Sequence, residues 1–234
     1  DIAVITNNQE VIGKSLPRIF QEYGLEVFED KKIRAAESPF AEFALSMVQT
    51  VRTGYSVEAI FRALKTDILE IPKADIEMLE IYAEEYHIKG KMWLRSFEKG
   101  LSKYGADELA KLEEIRKSAM EPFLVLEEIY KGSETYEEFI RGYYRFLNDY
   151  IGLAEKVRNE SQRQRNGGQE HRALVTLQIW SALINSLDQM MLIMGEKKFS
   201  GAVFCRLLER ALISEEIAII PPSENKIVVG TMQR

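Results

Sequence analysis

Ser38-Pro39-Phe40-Ala41-Glu42-Phe43-Ala44-Leu45-Ser46-Met47-Val48-Gln49-Thr50-Val51 decides the fold class. Serine followed by proline opens a helix, with Pro at a position where its missing N–H costs nothing. Phe40, Phe43, Ala44, Met47, Val48 and Val51 then recur at helical spacing, and Gly54 closes the run. The helical period persists downstream. Ser56 opens a second helix with Val57, Ile60, Phe61 and Leu64 inward, and Asp75 is expected to cap a third with Ile76, Leu79, Ala83 and Tyr86 inward. A longer helix is expected from about Leu109 to Ile129, with Pro122 as a kink or break. Thr135-x-x-Glu138 reads as a capping box. It starts a helix carrying Tyr136, Phe139, Ile140, Tyr143, Leu147 and Tyr150. Further helices run from about Arg172 to Met194, ended by Gly195, and from Ser200 through Val203, Leu207, Leu208 and Ala211.

Outward from this block the period changes. Ile2-Ala3-Val4-Ile5 is a fully apolar run, as in a strand buried on both faces. Val11, Ile12, Leu16, Ile19, Phe20 and Tyr23 read as a helix that Pro17 kinks or delays, and Gly24 ends it. Leu25-Glu26-Val27-Phe28 reads as a second strand, with the helix as a crossover. After Pro221-Pro222, Ile227-Val228-Val229 is again strand-like. The expected class is mainly α. Residues 36–215 form a helical insertion, flanked by α/β segments 1–35 and 216–234 of one partial sheet domain. The first residue is Asp1 and the last apolar run lies close to Arg234, so the expectation is a piece of a longer protein.

Composition narrows the function. Of 234 residues, 46% are hydrophobic and the net charge is −6, so a sequence-general basic DNA-binding surface is not expected. No window approaches the roughly 18 apolar residues of a membrane span, and no secretory leader is visible. Cys205 is the only cysteine, which excludes an internal disulfide and suggests a cytoplasmic setting.

Five groups of residues could carry chemistry. Gly13-Lys14-Ser15 follows a strand as the end of a phosphate-binding loop would, but Asn8 stands where the first glycine belongs, and Val11 and Ile12 suit a helix face. His87, His171 and Cys205 show no metal or dyad spacing, and Cys205 reads as a small buried apolar group. The helical carboxylates, among them Glu77, Glu113, Glu127 and Glu138, read as solvated faces. The segment from Arg158 to Arg172 is polar and contains Gly167-Gly168. It reads as a flexible connector or as a mobile loop whose Arg158, Arg163, Arg165 and Arg172 touch phosphate. Tyr143, Tyr144, Phe146 and Tyr150 read mainly as core, with base stacking as the alternative.

Ile2–Asn8, Leu16–Gly24 and Val27–Asp30 together resemble the opening of the second RecA-like domain of UvrD/RecB-type helicases. Ser38–Phe43, Ile60–Thr66, Leu112–Arg116 and Ile220–Arg234 extend the resemblance in order along the whole chain, closest to AddB-type helicase–nuclease subunits. That resemblance implies a helical 2B domain inserted into a RecA-like 2A domain, in a protein that processes DNA ends beside an AddA-like motor subunit. ATP, magnesium and an iron–sulfur cluster would belong to other parts of such a protein. Asn8-Gln9-Glu10-Val11 lacks the family's nucleotide-holding Arg, and Val229–Arg234 lacks the His and Lys of the motif joining DNA to ATP. The resemblance therefore implies a non-catalytic stretch that shapes the DNA channel. Arg158, Arg163, Arg165, Arg172 and Arg234 are the candidate DNA contacts. The alternative is a helical adaptor held by protein contacts alone.

Overall fold

A computed structural model describes residues 3–5, 16–25, 27–29, 33–217 and 227–230. In chain order these contain β1 (Ala3–Ile5), α1 (Leu16–Glu22), β2 (Val27–Glu29), β3 (Ile33–Arg34), α2 (Pro39–Arg52), α3 (Val57–Leu64), α4 (Lys73–Glu85), α5 (Leu101–Gly132), α6 (Tyr136–Arg145), α7 (Leu153–Asn166), α8 (Glu170–Met194), α9 (Gly201–Ser214), β4 (Glu216–Ile217) and β5 (Ile227–Gly230). Two compact units result: residues 1–33 with 216–234, and residues 34–215.

In the first unit β1, β5 and β2 form a parallel sheet in that order. Val228 lies opposite Ala3 on one side and opposite Phe28 on the other. β5 therefore fills the place that the β1–α1–β2 crossover leaves open. Gly24, at φ +70°, supports the turn after α1.

The second unit is helical. Ser38 caps α2 by accepting the Phe40 N–H at 3.2 Å, and Ser56 caps α3 by accepting the Ala59 N–H at 3.3 Å. α2 is buried almost all round, including Ser46 and Thr50, so it is the central helix and not a one-sided amphipath. α3, α5, α8 and α9 all pack on it. Thr50 is satisfied within the helix, its hydroxyl donating to the Ser46 carbonyl at 2.8 Å. The capping box at Thr135 and Glu138 is formed. The two ends of this unit meet, the Ala35 N–H donating to the Glu215 carbonyl at 3.2 Å.

Several local expectations give way to packing. α4 starts at Lys73 with Pro72 in the cap position, and Asp75 lies inside its first turn. α5 runs through a buried Pro122, and its backbone break is at Gly105 (φ 75°, ψ 172°). Glycine carries the break because only it reaches those dihedrals without strain. Past Arg145 the chain continues as a π-helical turn, Phe146–Tyr150. Ser200 precedes α9 without a side-chain cap bond. Short 3-10 turns at Ala35–Glu37 and Gly90–Leu94 have no signal in the sequence pattern.

The largest correction concerns Arg158–Arg172. This stretch is not a long mobile connector: α7 extends to Asn166 and α8 begins at Glu170. Arg158, Glu160, Gln162, Arg163, Gln164 and Arg165 are polar but straight-chained, and such residues form helix well. Gln164 Nε2 donates to Glu160 Oε1 at 3.0 Å, and Gln162 Nε2 to Asn166 Oδ1 at 2.9 Å, both one turn apart.

Candidate functional site

The candidate site is the α7–α8 hairpin. Its turn is a Schellman closure: Gly168 N–H donates to the Arg165 carbonyl at 2.9 Å, and Gln169 N–H to the Gln164 carbonyl at 2.8 Å. Gly168 sits at φ +72° with open space around it, so conformation alone demands glycine there. A Gly168→Val substitution is expected to destabilise the hairpin by about 1–2 kcal/mol, read as earlier hydrogen exchange at Asn166–Ala173. Unchanged exchange would show that the left-handed residue does not hold the turn.

Below the turn the helices are fastened by apolar and polar contacts. Leu153, Ala154, Val157, Ala173, Ile179 and Leu183 are buried. Ser161 Oγ donates to the Ala173 carbonyl at 3.0 Å, and Thr176 Oγ1 to Gln164 Oε1 at 2.9 Å. An ion pair from Lys156 to Glu70 ties α7 to the segment before α4.

The arginines project from this frame without converging. Helical geometry puts Arg158 and Arg165 on one side of α7 and Arg163 roughly 140° around it. Arg163 Nη1 pairs with Glu160 Oε2 at 2.9 Å, and Arg165 Nε with Glu170 Oε1 at 3.3 Å. Arg172 Nη1 donates to Gln169 Oε1 at 3.3 Å. Arg158 is exposed and has no ion pair among the described residues. Arg163 and Arg165 are thus surface cations in partly exposed ion pairs, which contribute little to stability. Arg234 lies outside the described residues, as do Gly13, Lys14 and Ser15.

The other candidates resolve into structural roles. His87 stands at φ +53° just beyond α4, its N–H bonded to the Glu84 carbonyl at 3.3 Å. Ile88 N–H reaches the Ala83 carbonyl at 2.9 Å, so His87 is the left-handed residue of a helix end. His171 lies in the first turn of α8. Cys205 is buried, and burial pushes its thiol up to about 11, which keeps it protonated at neutral pH. Glu113 is not a solvated-face residue. A hydrogen bond from Arg116 holds its carboxyl below the usual range, with a further bond from the Phe97 N–H. Tyr143 and Phe146 are buried, whereas Tyr144 and Tyr150 are 41% and 45% exposed.

Among the described residues no group of three or more His, Cys, Asp or Glu could hold a metal ion, and no helix is long and apolar enough to cross a membrane. The class defined so far is a mainly helical unit whose ends meet, carried by a chain that also builds a parallel sheet.

No family model matches the chain. Over its whole length it is 32% identical, across 243 residues, to the B subunit of the ATP-dependent helicase/deoxyribonuclease of Clostridium botulinum strain Hall, of which it covers 21%. The protein of the same name from Clostridium novyi strain NT is 31% identical over 236 residues, covered to 20%. That from Acetivibrio thermocellus is 28% identical over 245 residues, covered to 21%. The similarity to these helicase/deoxyribonuclease B subunits runs along the whole chain, and the chain spans about a fifth of the length of the curated relatives it matches.

Proposed function

We propose that this chain is a non-catalytic stretch of a DNA-end-processing helicase/nuclease, acting in double-strand break repair. In this reading residues 1–35 and 216–234 belong to a RecA-like 2A domain and residues 36–215 are its inserted 2B domain. The inserted domain lines the path of single-stranded DNA and supports contact with an AddA-like motor subunit. The observation that carries the reading is the similarity to B subunits along the whole chain. The meeting of the helical unit's two ends supports an insertion, because a domain inserted into another leaves and returns at one place. ATP and magnesium chemistry would fall to other parts of the enzyme. A four-cysteine iron–sulfur cluster does not fit a chain whose one cysteine is Cys205.

The proposed DNA contact is phosphate contact by Arg158, Arg163, Arg165 and Arg172. The expected result is salt-sensitive binding of a single-stranded oligonucleotide to the whole chain, measured by fluorescence anisotropy. Changing the four arginines to Ala should weaken it and flatten the log K against log salt slope by about 0.7 for each phosphate no longer neutralised. No binding by the unsubstituted chain would overturn the DNA role. An unchanged slope would remove the hairpin from it. A protein-contact role without DNA is the second reading, favoured by Leu192 and Ile193, 87% and 69% exposed near the end of α8.

A further inference from the structure

A column of aromatic rings leads from the core of the helical unit to its surface. Phe139 and Tyr143 lie 5.6 Å apart at 7°, Tyr143 and Phe146 6.4 Å at 17°, and Phe146 and Tyr150 5.6 Å at 17°. The first three are at most 2% exposed, while Tyr150 is 45% exposed. The last step is made across the π-helical turn, where the Ile151 N–H donates to the Phe146 carbonyl at 2.9 Å. Phe146 backs the Tyr150 ring, and the Glu121 carboxylate lies beside its hydroxyl. Tyr150 is therefore a surface ring held in one orientation by a buried stack.

We infer that Tyr150 is a stacking platform for a base of single-stranded nucleic acid. This rests on the DNA reading above and deepens it. A planar base continues the column as a fifth ring, and aromatic stacking of this kind tolerates any base. Tyr144 is exposed to a similar degree but takes no part in the column.

The test uses the whole chain and an oligo-dT strand, followed by anisotropy and by quenching of tyrosine fluorescence. Tyr150→Ala is expected to weaken binding roughly tenfold. Tyr150→Phe, which keeps the ring, should bind as the unsubstituted chain does, and so should Tyr144→Ala. Helix content and melting temperature of each variant separate lost binding from lost folding. Binding that survives Tyr150→Ala, or that Tyr150→Phe fails to preserve, overturns the platform while leaving the DNA role intact. An unsubstituted chain that does not bind at all overturns both.

Discussion

Glu113→Ala is expected to lower the stability of the helical unit by about 3–5 kcal/mol, because it strands the Arg116 guanidinium in the interior. Arg116 is only 7% exposed. Its Nε and Nη2 donate to the two Glu113 oxygens at 2.7 and 2.6 Å, and its Nη1 donates to the Trp93 carbonyl at 2.6 Å. Glu113 also accepts the Phe97 N–H at 3.1 Å, and the guanidinium lies 5.7 Å from the Phe97 ring centre. One ion pair thus pins the irregular segment around residues 93–97 against α5. A Glu113→Gln, Arg116→Met double variant should be much milder, since no bare charge remains buried. Urea midpoints measure both. A midpoint for Glu113→Ala within error of the unsubstituted chain would show that the pair does not anchor this segment.

The same pair carries a pH signature. The folded-state pKa of Glu113 is depressed, so its stabilisation is complete above the unfolded-state value of about 4.3 and is lost as pH falls through the lower folded-state value. Urea midpoints at neutral and acid pH should therefore differ less for the double variant than for the unsubstituted chain.

Phe139→Ala is expected to cost about 3–5 kcal/mol. Phe139 is 0% exposed and meets Tyr130, Tyr143, Phe199 and Phe204, which joins α5, α6, α9 and the segment before α9. Tyr143, next in the column, donates its hydroxyl to the Ala44 carbonyl of α2 at 2.5 Å, so the cavity opens beside the central helix. Phe139→Leu should recover much of the loss by filling part of the space. A thermal melt of Phe139→Ala that matches the unsubstituted chain would mean that the aromatic cluster is not the structural hub of this unit.

Where a signal is local, the sequence is readable. Ser38, Ser56 and Thr135 cap helices because a short side chain reaches backbone N–H groups within the same turn, whatever surrounds them. Gly54 marks the end of α2 because its φ of +69° is a backbone requirement. Arg158–Arg172 reads wrongly as a loop because it is polar and holds two glycines, whereas helix is recovered through intrahelical bonds and through packing on α8. The four arginines are visible in the sequence, but their separation around α7 needs the helix. Arg116 is hidden for a related reason. Nothing in Leu112-Glu113-Glu114-Ile115-Arg116 tells which charge faces solvent, because burial depends on a segment some twenty residues earlier that covers it. Tyr150 shares the apolar stripe of Tyr143 in the sequence, yet at the end of the π-helical turn it is half-exposed.

Residue pattern alone is enough to read a mainly helical chain between two strand-bearing ends, and to find the starts of α2, α3 and α6 at Ser38, Ser56 and Thr135. Periodicity and capping act within one or two turns, so they survive any tertiary arrangement. Tertiary contacts were needed to show that β5 enters between β1 and β2, that α2 is covered almost all round, and that three aromatic rings align toward Tyr150. Each depends on which surfaces meet across long stretches of chain, and apolar burial, being non-directional, does not specify its partner in any local pattern.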